Sequence, residues 1–303
     1  MSRLQMVHTL GRHVDLAWGE QPLFRYVYQP DTPSLESPRP YFHPLHTLAG
    51  DVITGFRPND HRWHHGLSMT VAYLSGENFW GGVTYQDGGY VQLNNNGRQQ
   101  HTAWDALTCD GEQAALDERL TWLTHAGEVW FEEQRRIGVS ASAITADAWS
   151  LELGLRLRNV THQPLVLGSP TTQGRPNAGY GGLTWRGARD LTRGTIQIES
   201  GLIAHGDEEP LMGQRGRWLA YTGRHDGAER ASTIILVDQP GNPRYPNRWF
   251  VRAKEAPYAS FALFFDQTYT LEPGAELALT YRLIVVSGAP DAIQIEALIA
   301  DPT

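Results

Sequence analysis

The sequence predicts an all-β protein, a sandwich or barrel of many short antiparallel strands. Three observations predict it. Leu151, Leu153, Leu155 and Leu157 alternate with Glu152, Gly154, Arg156 and Arg158, a period of two with one apolar face. The 31 glycines and 18 prolines are spread over all 303 residues, which suits frequent turns rather than a disordered tract. No regular series of crossover helices is evident, as a parallel α/β protein would need.

Taken in order, residues 1–29 read as two short strands. Arg12 to Trp18 alternates, Gly19-Glu20-Gln21-Pro22 can turn, and Leu23 to Tyr28 resumes. Pro30, Pro33, Pro38 and Pro40 make the stretch at about 30–40 a proline-rich, exposed loop, either crossing a cleft or simply connecting. Leu67 to Leu74 is a strand candidate. Asp87-Gly88-Gly89 and Asn94-Asn95-Asn96-Gly97 are turn signals, and His101 begins another strand candidate. Residues 112–139 have local helix propensity, but Leu116, Leu120 and Trp122 share one parity and His125-Ala126-Gly127 can turn, so a hairpin is expected.

Gly168 to Arg189 is rich in Gly and Pro, and its Gly179-Tyr180-Gly181-Gly182 piece is most simply a tight turn. Strand candidates recur at 195–200, 217–222, 232–237, 260–264 and 277–286. Between them, Asn242 to Phe250 is too polar and proline-broken for a core strand. Ala289 to Ile299 is a short terminal helix or a last strand. With no clear linker, the expectation is one domain over residues 1–303.

A net charge of −8 argues against a general nucleic-acid or anionic-membrane surface. Cys109 is the sole cysteine, so no intramolecular disulfide framework exists and a cytoplasmic setting is expected. No apolar stretch approaches the roughly 20 residues of a spanning helix, and no secretory leader is evident.

Function centres on Asp60-His61-Arg62-Trp63-His64-His65-Gly66, where three of the 12 histidines fall within five positions. A loop or strand edge presenting imidazoles at a sheet rim is expected. Histidine suits proton transfer because both of its protonation states are accessible near neutrality. His61, His64, His65 and His101, with Glu133 as a carboxylate partner, are the candidate catalytic groups. The same histidines could hold a divalent metal, with His101, Glu133 or Asp60 as a third ligand, although the spacing matches no recognised metal motif. No other cofactor is expected.

Trp63, Trp80, Tyr180, Trp218 and Trp249 are candidate walls for a sugar ring, although for each aromatic taken alone core is the commoner role. Arg244 could bind a carboxylate or adjacent oxygens, or merely loop carbonyls. Asn78 and Asn242 could meet hydroxyls or cap turns. Cys109 lacks a catalytic partner, and Ser68 and Ser169 lack a nucleophile elbow.

At these residues the chain resembles the bacterial family labelled methane oxygenase PmoA-like. The resemblance rests on Asp60 to Gly66, Asn78-Phe79-Trp80, Tyr180-Gly181-Gly182, Asn242-Pro243-Arg244-Tyr245-Pro246 and Trp249-Phe250-Val251-Arg252. Particulate methane monooxygenase is a membrane complex, which sits poorly with a chain lacking a spanning helix. The resemblance instead implies a companion of sugar-catabolism enzymes. It also implies a large antiparallel β-sandwich similar to the galactose mutarotase-like supersandwich, with His64 or His65 and His101 in the cleft.

The leading expectation is therefore a carbohydrate-active enzyme working on a sugar, keto-sugar or glycoside by histidine/carboxylate acid–base chemistry. Epimerisation, lyase action and hydrolysis remain open. The alternatives are a non-catalytic carbohydrate-binding or regulatory domain, and a metal-dependent oxygenase or hydrolase. The expected partner is a small-molecule carbohydrate, and an exposed sheet edge would permit a homodimer.

Overall fold

Residues 2–300 are described by a computed structural model. Two large antiparallel sheets dominate. The first runs, in spatial order, Leu4–Thr9, His13–Trp18, Gln21–Val27, Tyr41–Leu45, Leu67–Thr70, Gly182–Arg186, Tyr258–Phe261 and Trp249–Arg252. The second has nine strands: Ile203–His205, Thr195–Ile198, Trp218–Arg224, Ala231–Asp238, Glu276–Ser287, Ala148–Asn159, Val129–Ser140, Gln113–Leu123 and Arg98–Cys109. The expected all-β antiparallel sandwich is thus what the chain forms.

Alternation explains the layering. Leu151, Leu153, Leu155 and Leu157 are all buried on the inner face of the nine-stranded sheet, with Leu153 opposite Tyr281 and Leu155 opposite Leu279. Aromatic pairs join the two sheets: Phe24 stacks on Trp149 at 6.2 Å, Trp185 meets Tyr221 at 5.0 Å and Phe261 meets Tyr281 at 4.2 Å. Each such side chain, fully buried, contributes roughly 2–3 kcal/mol of apolar transfer. The expected hairpin of residues 112–139 is present as Gln113–Leu123 paired with Val129–Ser140. The chain ends in a helix, Ala292–Ala300, whose Ile295 covers Trp218, Ile235 and Ile284 on the outer face of the nine-stranded sheet.

Four local expectations are corrected. The first 29 residues hold three strands, because Leu4–Thr9 pairs with His13–Trp18. The glycine-rich stretch after 168 contains Gly182–Arg186, an internal strand of the eight-stranded sheet. Its first residue is Gly182 because φ is +85° and a Cβ there would lie 2.0 Å from the Phe261 carbonyl oxygen. Trp249–Arg252 is also a strand, at the edge of that sheet. The proline-rich loop is exposed only in its first half; Glu36, Ser37, Arg39 and Pro40 are buried.

Beyond Gly182, the outer face of the eight-stranded sheet is neither bare nor fully apolar. Leu67, Met69, Leu183, Trp185, Val251 and Phe261 enter the core. Their alternates, Ser68, Thr70, Thr184, Arg186, Phe250, Arg252, Tyr258 and Ser260, face the other way. A second apolar cluster builds on that face from Phe250 and Tyr258 with Ala72, Trp80, Ala262 and Phe265. No helix among the described residues is long and apolar enough to cross a membrane.

A candidate ligand-binding cleft over the eight-stranded sheet

A cleft of about 450 Å³ opens on this outer face. Strand residues Arg186, Phe250, Arg252 and Tyr258 line it from below. Asp60, His61, Trp63 and His64 enter from the histidine loop, Trp80 and Gly81 from the next loop, and Tyr90, Arg175 and Tyr180 from the far side.

The histidine loop is fastened at both ends to Arg186. The Gly55 N–H donates to the Arg186 carbonyl at 2.9 Å, and the Arg186 N–H donates to the Gly66 carbonyl at 2.8 Å. A bridge between Phe56 and His65 closes its neck. Trp63 lies flat on a glycine pair: a Cβ on Gly82 would sit 2.8 Å from the indole, and one on Gly81 2.5 Å from the Trp63 Cβ. Gly81 and Gly82 also have φ of +106° and +67°, so both space and backbone select glycine. The Asn78 side-chain oxygen accepts from the N–H groups of Trp80 at 2.8 Å and Gly81 at 2.9 Å, shaping the turn that presents Trp80.

Arg39 ties these loops together. From a buried position its guanidinium donates to the carbonyls of Trp63 at 2.7 Å, Trp80 at 3.2 Å, Ser37 at 2.9 Å and Glu36 at 3.0 Å. Its Nε donates to Ser68 Oγ at 3.1 Å. Burial lowers its pKa to about 10, against the raising influence of Tyr258 and Glu36.

The three clustered histidines have separate environments. His61 is half exposed, and its Nδ1 lies 3.0 Å from Asp60 Oδ2, an acceptor only, so Nδ1 carries a proton. Asp60 also faces Arg186 at 3.7 Å and Arg189 at 3.4 Å. Burial works to raise the Asp60 carboxyl, but the His61 hydrogen bond, its own backbone N–H and the Arg186 charge hold it below the usual range. His64 stacks on His61 at 4.8 Å and accepts at Nδ1 from Arg186 at 3.1 Å. Burial and the adjacent Arg186 push His64 well below an ordinary imidazole, so it is neutral with its proton on Nε2. His65 turns away from the cleft. Its Nε2 donates to Glu36 Oε2 at 3.0 Å, and Arg57 holds the same carboxylate at 2.8 and 3.0 Å. Burial and the Arg39 charge lower His65 to about 2.

Other candidates lie elsewhere. His101 and Glu133 belong to a buried network on the nine-stranded sheet. His101 bonds Glu118 at 2.8 Å; Glu133 accepts from Arg135 at 2.7 Å and from the Trp122 indole at 2.7 Å; the Arg135 guanidinium reaches Tyr26 Oη at 3.0 Å. Trp218 is buried under the terminal helix, bonded to Glu296 at 2.8 Å, and Trp249 is core against Phe261 at 4.8 Å. Asn242 caps Asp238 and the Thr280 backbone at 2.6–2.7 Å. Arg244 donates to the carbonyls of Leu263, Gln267 and Thr268 at 2.7–2.8 Å, which leaves its fork committed to a loop. Thus Asp60, His61, Trp63, His64, Trp80 and Tyr180 converge in the cleft, whereas Arg244 does not. Sequence reading missed Glu36, Arg39, Arg175, Arg186, Arg252 and Tyr258. Reading Trp249-Phe250-Val251-Arg252 as a strand would have paired Phe250 with Arg252 and sent Trp249 inward.

Among the described residues, no group of three or more His, Cys, Asp and Glu side chains is placed to hold a metal ion. His64 offers no lone pair at Nδ1, and the Arg186 charge beside it opposes a cation.

Residues 13–300, which hold all but the first strand of the two sheets and the whole cleft, match the family described as "Family of unknown function (DUF6807)". The chain belongs to that family. Membership in DUF6807 replaces the PmoA-like resemblance, and the all-β antiparallel architecture is likewise not that of a membrane-bound methane monooxygenase. No curated protein matches this DUF6807 chain. Among solved structures it is similar to the GH36 α-galactosidase AgaB from Geobacillus stearothermophilus, with 12% identity, TM-score 0.46, 94% of this chain covered and 41% of that one. It is also similar to galactose 1-epimerase from Lactobacillus acidophilus NCFM, with 10% identity, TM-score 0.42, 95% of this chain covered and 100% of that one. The chain thus spans about two fifths of the α-galactosidase's length.

Proposed function

We propose that the cleft binds one sugar ring and that His61, oriented by Asp60, exchanges a proton with it. The observation carrying this reading is the composition of a single enclosure. Aromatic faces from Trp63, Trp80, Tyr180, Phe250 and Tyr258 stand beside polar groups in about 450 Å³, within the roughly 300–1,000 Å³ typical of small-molecule sites. Aromatic faces suit the C–H face of a pyranose, and the polar groups suit its hydroxyls.

His61 is the imidazole in the cleft whose Nε2 is free to accept a proton. The Asp60 carboxylate would stabilise the imidazolium that forms, as a carboxylate does for any imidazole it orients. His64 serves as a neutral donor, its acceptor nitrogen being occupied by Arg186. The test is a panel of monosaccharides, uronic acids and simple glycosides, with binding followed by calorimetry and products by NMR. Changing His61→Ala should cut turnover by about 10²–10⁴-fold with little effect on affinity. Full turnover in that variant removes His61 from the chemistry.

A binding-only role is favoured by one observation: Asp60 is shared by His61, Arg186 and Arg189, so it is not available as an independent base. Saturable sugar binding with no product across the panel would support that second reading.

A further inference from the structure

We infer that the ligand of this cleft is an anionic sugar, a monosaccharide carrying a carboxylate or phosphate. The inference rests on the sugar-site reading above and deepens it.

Charge is the first ground. Arg175, Arg186 and Arg252 line the cleft against two carboxylates, Asp60 and Glu255, in a chain whose net charge is −8. Asp60 is already engaged by His61, Arg186 and Arg189. Arg175 has no carboxylate partner among the described residues; it donates to the Tyr90 hydroxyl and lies 4.8 Å from that ring's centroid. Arg252 approaches Glu208 at a long 3.7 Å, donates to the Val251 carbonyl at 3.3 Å and rests on the Phe250 ring at 4.6 Å. The site thus holds more positive charge than its own carboxylates offset.

Hydrogen-bond polarity is the second, independent ground. Three polar atoms on cleft-lining residues are buried without a partner: Trp63 Nε1, His64 Nε2 and Arg186 Nε. Arg186 is 5% exposed. The indole and guanidinium N–H groups can only donate, and His64 Nε2 donates because Nδ1 accepts from Arg186. A neutral sugar hydroxyl can accept from these groups, but it also carries an O–H that a set of donors leaves unmet. Unmet donors beside arginines that their carboxylates only partly offset match groups that only accept, the oxygens of a carboxylate or phosphate.

The test is calorimetric titration of the full chain with D-galactose and D-galacturonate, D-glucose and D-glucuronate, glucose 6-phosphate, acetate and inorganic phosphate. It is repeated at high salt and on the variants Arg175→Gln and Arg252→Gln, neither of which is assigned to proton transfer. A sugar acid or sugar phosphate should bind about tenfold to a hundredfold tighter than its neutral parent. That preference should shrink with salt and fall about tenfold in either variant. The uronates and the phosphate ester separate the two sources of charge. Equal binding of neutral and anionic sugars overturns the inference and leaves the sugar site standing. Binding of acetate or inorganic phosphate as tightly as the sugar acid, with no neutral sugar bound, supports the anion and rejects the sugar. No binding by any probe rejects both. If one variant fails to fold, the other and the salt dependence decide.

Discussion

Replacing Arg39 with methionine probes the whole construction of the cleft, because one guanidinium holds both Trp63 and Trp80 by their backbones. Methionine keeps most of the aliphatic length and removes five hydrogen bonds, four to carbonyls and one to Ser68 Oγ. At about 1 kcal/mol net each, the loss sums to about 5 kcal/mol. Relief of the buried charge, whose desolvation already lowers Arg39 to about 10, offsets part of it. The expected destabilisation is therefore about 3–5 kcal/mol, or about 5–8 °C in Tm for a chain of this size. Urea and thermal unfolding measure the first effect. Quenching of tryptophan fluorescence by the bound sugar measures the second, which should weaken because both indole walls lose their anchor. Arg39→Lys keeps the charge with three donors and should fall between the two. If Arg39→Met unfolds within 1 kcal/mol of the parent and binds sugar equally well, the claim that Arg39 sets the loops is refuted.

Further outcomes follow from neighbouring groups. Gly82→Ala should lose about 1–3 kcal/mol and displace Trp63, since its Cβ would meet the indole at 2.8 Å; Gly227→Ala, with similar φ and open space, should leave ligand affinity untouched. Affinity titrations on the two variants check the contrast. Glu133→Gln should cost about 3–5 kcal/mol by leaving the buried Arg135 uncompensated, with no change in sugar affinity or turnover; a selective loss of turnover in a folded variant would restore Glu133 as a catalytic group. Stability should fall with acid. His65, lowered to about 2, and His64, lowered well below its ordinary value, are neutral when folded and take up protons near pH 6.5 when unfolded. Their contribution is complete above about pH 7 and is lost as pH falls below about 6.5, by about 1 kcal/mol per histidine per pH unit. Urea unfolding at pH 7.5 and 5.5 should show this slope, and His65→Gln should reduce it by one histidine's share.

Legibility divided along physical lines. The Leu151–Leu157 alternation and the hairpin of 112–139 were readable because periodicity and turn chemistry act over a few residues. The strand Gly182–Arg186 was hidden because its glycine serves a close approach to Phe261, a neighbour almost eighty positions away in sequence. The histidine cluster was visible as a cluster, but not the division of labour within it. That division depends on Glu36 beside His65, Arg186 beside His64 and Asp60 beside His61.

Arg244 and Arg186 make the same point from opposite sides. Both are arginines near aromatic residues, and the polar, turn-rich setting of Arg244 made it the stronger candidate. Its turn holds it against three carbonyls, while the plain alternation of Thr184-Trp185-Arg186 delivers Arg186 to the floor of the cleft. Backbone sterics and short-range patterning made legible the strands with a clear period of two, their apolar faces and many of the turns between them. Only the tertiary structure decided which polar groups share one hollow. Strands 67–70, 182–186 and 258–261 become neighbours through long-range pairing, and no local signal encodes that order.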